Sequence, residues 1–523
     1  MDFLFIKGRR VGIDNQNIFT ITLSLRQADI DNSIIKSPFP RIPFQYSTKL
    51  ITIFVLYHWK GERHVIIALI NSYLNKIAWG WPSLILLVGT GVYYTIRLGF
   101  IQFIRFPYIM KNTIGKIFDK KDAGKGAVTP FQAVTTALAA TVGTGNIAGV
   151  TGAIALGGPG AVFWMWISAI FGMCTKFAEV TLSIHFRRRN DRGDWIGGPM
   201  YYISKGMGKR WAWLGSVFAL FGMLASFGIG NMTQINTIAN SISGTVSLFT
   251  PIDIQKTNLI IGITVAVFSA IVIIGGIKRI GSVTETLVPL MALLYIVSAL
   301  VVIFSNIEKI GSTFHIIFSS AFSPEAALGG TAGINISSAI KRGIGRGIFS
   351  NEAGLGSAPI AHAAADTDSA VRQGFFGVFE VFASTIVICT ITSLAVLMSG
   401  ISIPYGSSAG ADITIAAFAT SFGNIGAGLI LSIAITLFAL STILSWCLYG
   451  SRCVEYLFNS TKAILPYQLI FCFIIVIGAT QNLNLVWEIA DTLNGLMALP
   501  NLVALIALSP IVIKLTRQYF KTK

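Results

Sequence analysis

Ten runs of about 20 apolar residues divide the chain, near 80–102, 131–155, 160–185, 211–242, 257–277, 285–305, 372–399, 412–447, 464–481 and 486–513. Each is long enough for a helix to cross the hydrocarbon core of a bilayer, so the chain is expected to fold in lipid. Composition agrees. Hydrophobic residues make up 53% of 523 positions and charged residues 12%, against roughly 25% charged in a soluble domain. The expectation is an all-α, polytopic membrane protein. The net charge of +17 does not point to nucleic acid, because the basic residues fall in short loops between apolar runs, where they set topology. Cys174, Cys389, Cys447, Cys453 and Cys472 show no CxxC spacing, which indicates neither a disulfide framework nor a zinc site. The five histidines do not cluster, and no catalytic constellation is present, so an enzyme is not expected.

An eleventh stretch, 327–350, carries Lys341, Arg342 and Arg346 and scores poorly as a span. Loop charge argues for it. If it crosses, the loops 103–129 with six Lys/Arg, 186–210 with seven, 278–284, 448–463 and the C-terminal tail share one side. The opposite loops then hold only Lys256 and Lys309, as the positive-inside rule requires. The count becomes eleven, with a cytoplasmic C-terminus in a bacterial inner membrane. Setting aside the first span, within 79–130, leaves five spans in 131–305 and five in 306–523. An odd number per half inverts the second half relative to the first, the plan of inverted-repeat transporters. Residues 1–78 stand apart. Their first 64 positions hold nine Lys/Arg and five Asp/Glu without a signal-peptide pattern, and exporting such a segment ahead of a first helix is awkward. Translation starting near Val65 is one reading; a disordered or accessory extension is the other.

Two glycine-broken segments occupy corresponding places in the two halves: Ala140-Thr141-Val142-Gly143-Thr144-Gly145-Asn146 and Gly343-Ile344-Gly345-Arg346-Gly347-Ile348-Phe349-Ser350-Asn351. Unpaired backbone groups are tolerated at membrane depth only where protein, water or a solute satisfies them, so paired breaks point to a binding site. Gly143 and Gly145 free the backbone to leave the helix. A helix restarting at Asn146 aims its N–H groups at an anion; an amino-acid carboxylate held by Thr144 and the Gly145 amide is the expected one. The carbonyls of Ala139 and Val142 face a cation or the substrate ammonium. In the second break, carbonyls of Gly347, Ile348 and Phe349 and the amide of Asn351 serve the ammonium side, or Asn351 is simply a helix cap. Phe438, Ser441 and Thr442 set a carbonyl and two hydroxyls on one side of a helix, hard oxygens of the kind sodium takes; back-bonding to the helix's own turn is the alternative use. Trp446, one turn on, limits side-chain volume.

Four blocks carry a resemblance: Gly157-Gly158-Pro159-Gly160-Ala161-Val162-Phe163-Trp164-Met165-Trp166-Ile167-Ser168, Val142 to Val150, Gly197-Gly198-Pro199-Met200-Tyr201-Tyr202, and Phe349 to Pro359, with Val371-Arg372-Gln373-Gly374 beside them. From about Ile77 onward the chain resembles the alanine or glycine:cation symporters, also called sodium:alanine symporters. The resemblance implies the leucine-transporter fold with a 5+5 inverted repeat, a small neutral amino acid as substrate and sodium as coupling ion, with no other cofactor. It also implies that Ala139 and Val142 complete a sodium site with Phe438, Ser441 and Thr442. Proton coupling and, less readily, a passive channel are the alternatives. Among the remaining polar residues, Lys176 and Glu179 are expected to pair locally. Asn231, Gln234 and Asn236 reach either the substrate or neighbouring helices. Lys341, Arg342 and Arg346 line a vestibule or pair with Glu352, Glu380 or Asp366.

Overall fold

The computed structural model describes residues 63–116, 124, 126–323, 335–406, 410–481 and 484–522, and a short antiparallel hairpin pairing Phe3–Ile6 with Arg9–Gly12. The expectation of an extension over 1–78 falls largely outside the described residues, although its last part, Arg63–Ala78, is helical. The chain divides into two units, Met1–Ile67 and Ala68–Lys523. The larger unit is built almost wholly of helices. Those that frame the site are, in chain order, α1 (Trp81–Arg97), α2 (Pro130–Thr141), α3 (Ala148–Gly157), α4 (Gly160–Phe186), α5 (Ala212–Phe227), α6 (Thr233–Val246), α7 (Ile254–Ile273) and α8 (Gly276–Phe304). Then follow α9 (Ile336–Asn351), α10 (Ala358–His362), α11 (Ala370–Val381), α12 (Ala411–Phe458), α13 (Ile464–Thr480) and α14 (Asn484–Ala507).

Among the described residues nine helical segments are long and apolar enough to cross a membrane, and the bent pair α2–α3 makes a tenth. Of the stretch expected as an eleventh span, 327–350, residues 327–334 lie outside the described residues, and the remainder forms most of α9, 16 residues long and carrying Lys341, Arg342 and Arg346.

The first break falls where the sequence places it. Helix α2 starts with a capping box, in which Thr129 accepts from the Gln132 amide and the Gln132 side chain returns to Thr129, with Pro130 at the first helical position. It ends at Val142 (φ −94°, ψ 82°), and after one 3₁₀ turn, Thr144–Asn146, the chain restarts as α3 at 57° to α2. Gly143 is extended (φ −128°), so its conformation alone does not demand glycine. Space does: a Cβ there would lie 2.7 Å from Thr442 Oγ1.

The second break lies later than the glycine pattern suggests. Helix α9 runs unbroken through Gly343–Asn351, and the chain turns at Glu352 (φ 53°), Gly354 (φ 91°) and Gly356 (φ 82°) before α10. Gly347, Ile348 and Phe349 are therefore helical, and the Ile348 carbonyl accepts from Glu352 N at 2.7 Å. Gly343 and Gly347 have another task. A Cβ at Gly343 would lie 2.3 Å from Ala161 O and one at Gly347 2.1 Å from Ser168 Oγ, so the pair, one turn apart, lets α9 lie directly on α4.

Candidate functional site

Four of the five residues named from sequence for a cation, Ala139, Phe438, Ser441 and Thr442, bring their oxygens together where α12 crosses the end of α2. Thr442 Oγ1 lies 3.0 Å from Ala139 O and 2.9 Å from Phe438 O; Ser441 Oγ lies 3.2 Å and 2.8 Å from the same two carbonyls. All four residues are buried. Each hydroxyl has one proton and two carbonyls within reach. The group thus holds more acceptor capacity than donors, the arrangement a small hard cation would complete. Val142, also buried, ends α2 directly after this cluster. Helix α12 can deliver Ser441, Thr442 and Trp446 together because it continues for 35 residues beyond its kink at Gly423 (φ 69°), counted from Asn424 to Phe458.

Beside these oxygens lies a small cavity of about 20 Å³, lined by Thr141, Gly143, Thr144, Gly145, Gln234, Phe349, Glu352, Thr442, Trp446 and Asn494 among others. Thr144 Oγ1 donates to Gln234 Oε1 at 3.1 Å. Phe349 leans its ring on Gly145, where a Cβ would come within 3.1 Å of it. Thr144, Gly145 and Phe349 border both the small cavity and a larger vestibule of about 840 Å³, which Arg346, Asp412 and Trp487 also line. Trp446 is set by Gly230, whose missing side chain admits it; a Cβ at Gly230 would stand 2.1 Å from Trp446 Cβ. Gly230 belongs to a π-helical turn, Gly228–Met232, between α5 and α6, the kind of bulge that recurs at functional positions.

Other expected residues sit elsewhere. Asn146 is fully buried and does not border the cavity; its Oδ1 accepts from Gly143 N (3.0 Å), and its Nδ2 donates to Ser350 Oγ (2.7 Å) and Ser384 O (3.0 Å). Asn351 accepts from Ala353 N at 2.9 Å, as a residue shaping the turn after α9 does. Of the three polar residues on α5–α6, Gln234 reaches the cavity, while Asn231 donates to Phe471 O and Asn236 to Gly478 O and Gln481 O. Lys341, Arg342 and Arg346 line a second open pocket with Trp81 and Asp491, and Arg346 also borders the vestibule. Lys341 lies over the Trp81 ring and Arg346 over Phe349.

Lys176 and Glu179 do not pair as their spacing suggests. Lys176 Nζ meets Glu380 Oε1 at 3.3 Å, and Glu380 Oε2 meets His362 Nε2 at 3.2 Å, all fully buried. Gln373 Nε2 donates to His362 Nδ1 at 2.9 Å. Glu179 instead braces the second break: its Oε1 accepts from Gly356 N (2.9 Å) and Asn501 Nδ2 (2.6 Å), and Asn501 also donates to Gly354 O (2.9 Å). Glu352 and Asn494 were not singled out as cavity residues by sequence reasoning. Their signal was a charged and an amide side chain inside otherwise apolar stretches.

Residues 64–523 match the Sodium:alanine symporter family. The "Sodium/alanine symporter AgcS" of Methanococcus maripaludis is 46% identical over 460 residues, covering 87% of this chain and 97% of that protein. The "Probable sodium/glutamine symporter GlnT" of Bacillus subtilis is 39% identical over 451 residues, covering 86% and 90%. In fold the chain is similar to MhsT, crystallised in complex with L-phenylalanine, with a TM-score of 0.51 and 16% identity over 76% of this chain and 99% of that one. The fold is that of the leucine transporter, the protein is a multi-pass membrane transporter and not an enzyme, and the chain belongs to the sodium:alanine symporter family.

Proposed function

We propose that this transporter carries a small neutral amino acid, alanine or glycine, into the cell together with sodium, by exposing one site alternately to the two sides of a bacterial inner membrane. The observation that carries the proposal is the convergence of Ala139 O, Phe438 O, Ser441 Oγ and Thr442 Oγ1 beside a small cavity at a helix break. Sodium binds among those oxygens, with the Val142 carbonyl at the same helix end. The substrate carboxylate meets the Gly145 amide and Thr144. Phe349 is the outer cover, and Trp446 with Phe349 leaves little room for a side chain beyond a methyl group. The substrate named for AgcS supports alanine, and the one named for GlnT shows how far relatives diverge. Basic loops on one side of the topology support a cytoplasmic C-terminus.

Energetically one sodium is enough for useful accumulation. A charge crossing 100 mV gives about 2.3 kcal/mol and a tenfold gradient about 1.4 kcal/mol, together a concentration ratio of roughly several hundred. The test is uptake of labelled alanine and glycine by proteoliposomes with and without an inward sodium gradient. Accumulation that requires the gradient is expected. Accumulation indifferent to sodium, or equilibration without accumulation, refutes the reading.

A further inference from the structure

A basic groove lies away from the transport site, where the last helix meets α1. That helix, α15 (Ser509–Lys521), follows α14 after a break at Leu508 and buries Ser509, Val512, Ile513 and Thr516. Tyr93 Oη on α1 and Ser509 Oγ lie 2.9 Å apart and tie the two helices together. Side chains of α1 and α15 line a groove of about 390 Å³. Arg97 enters it from the last turn of α1, and Lys514, Arg517 and Lys521 enter from α15, where spacings of three and four put them on one face. Pro510 and Ile513 supply apolar walls.

No carboxylate balances these four cations. None lines the groove, and among the described residues none of the four has an ion pair; Arg97 has the Tyr93 ring, 5.7 Å from its centroid. Like charges held this close repel, and an anion between them removes the cost. The positive-inside rule asks only for basic residues on this side of the membrane, not for four around one groove with apolar walls. The neighbouring surface selects the anion. Ile85, Gly89, Val92 and Ile96 recur at intervals of four, three and four, so they share one face of α1 that ends beside Arg97. Ile85 and Ile96 are 65% and 60% exposed, and a Cβ at Gly89 would meet nothing within 4 Å. Because α1 belongs to a stretch, Ile67–Arg97, long and apolar enough to cross a membrane, this face is open to lipid tails.

We propose that the groove seats the head group of an anionic phospholipid, with its phosphate between Arg97 and the cations of α15 and an acyl chain along the exposed face of α1. A phosphate diester has two free oxygens that a guanidinium engages side by side, and lysines add charge without that geometry. The apolar face distinguishes a lipid from a soluble phosphate, which would use the cations alone. The orientation proposed above puts this lipid in the cytoplasmic leaflet; binding itself does not depend on that orientation or on the transported solute.

The experiment titrates the purified full chain, in a neutral detergent, with phosphatidylglycerol or phosphatidylcholine and reads bound lipid by native mass spectrometry. Phosphatidylglycerol is expected to bind at lower concentration than phosphatidylcholine, and inorganic phosphate at the lipid's concentration is expected not to displace it. A basic residue near a membrane surface is worth a factor of about five in affinity, so Lys514→Gln/Arg517→Gln is expected to raise half-saturating phosphatidylglycerol by roughly 25-fold. Lys278→Gln/Lys462→Gln removes the same charge from exposed positions outside the groove and is expected to change it by less than about twofold, because such attraction fades within a Debye length. If the first double variant fails to fold, Arg97→Gln, with an expected loss of about fivefold, decides. Equal weakening by the two double variants overturns the proposal, as does equal binding of the two lipids. Displacement by inorganic phosphate also overturns it and assigns the groove to a soluble anion. Sodium-driven alanine uptake is read in a separate assay, so either result can fail while the other stands.

Discussion

Replacing Thr442 by Val tests the sodium site with little change in shape. The hydroxyl lies 3.0 Å from Ala139 O on the neighbouring helix and 2.9 Å from Phe438 O in its own turn, so two uses compete. If it serves only its own turn, its loss costs about 0.5–1.5 kcal/mol of stability and leaves sodium affinity alone. If it also ligates the cation, it makes the kind of contact that is worth about 1.5–3 kcal/mol when one partner is charged. That corresponds to a rise of roughly 10- to 150-fold in half-saturating sodium. The assay is initial alanine uptake by proteoliposomes against external sodium, with choline holding ionic strength constant. Ser441→Ala should act in the same direction, and the double variant should fall short of the summed effects because both hydroxyls face one ion. A Thr442→Val protein that folds and keeps its half-saturating sodium within about twofold, well below the range just derived, removes the hydroxyl from the ion and the argument with it.

Gly143→Ala puts a methyl group 2.7 Å from Thr442 Oγ1; overpacking of about 1–3 kcal/mol is expected to raise half-saturating sodium by moving that hydroxyl, as the same sodium titration measures. Lys176→Met leaves Glu380 buried with only His362 beside it, and a loss of about 3–5 kcal/mol should appear as a lower thermal midpoint in detergent, with Lys176→Met/Glu380→Leu recovering part of it. Trp446→Leu widens the cavity wall that Gly230 supports. Larger neutral amino acids should then compete better with labelled alanine, by about 0.8 kcal/mol for each methylene newly accommodated, and an unchanged competition ranking would count against Trp446 as the size limit.

The first break was legible because Gly143, Thr144 and Gly145 interrupt an apolar run that otherwise suits a helix, and the hydroxyl pair Ser441–Thr442 was legible because its spacing fixes both to one helix face. The second break was misplaced for a physical reason. Glycine in a membrane helix signals either unwinding or close packing, and Gly343 and Gly347, four apart, meet Ala161 and Ser168. The actual turn was marked less by glycine number than by an acidic residue followed by Gly354 and Gly356 at positive φ. Lys176 illustrates the harder limit. Local spacing offered Glu179, yet its partner Glu380 is 204 residues away, and only the packing of α11 on α4 brings them together. Similarly, nothing local distinguishes Asn231, which bonds Phe471 O, from Gln234, which turns to Thr144.

Asn146 shows why the first break is a joint as well as a cradle. Both ends of its amide are used: Oδ1 holds Gly143 N, while Nδ2 reaches Ser350 on α9 and Ser384 O beyond α11. Thr392 Oγ1 adds a bond to its backbone carbonyl at 2.9 Å. The chain after the break is therefore tied to the second half's helices by several bonds of about 1 kcal/mol each. The chain before it is tied differently, through Ala139 O to Ser441 and Thr442 on α12. Any relative shift of these two attachments must be absorbed in the four residues from Val142 to Gly145, three of which border the cavity. A cation at the Ala139 side and an amino acid at the Gly145 side would each act on that short stretch, so the state favoured by one favours the other, and such coupling is reciprocal by thermodynamic necessity.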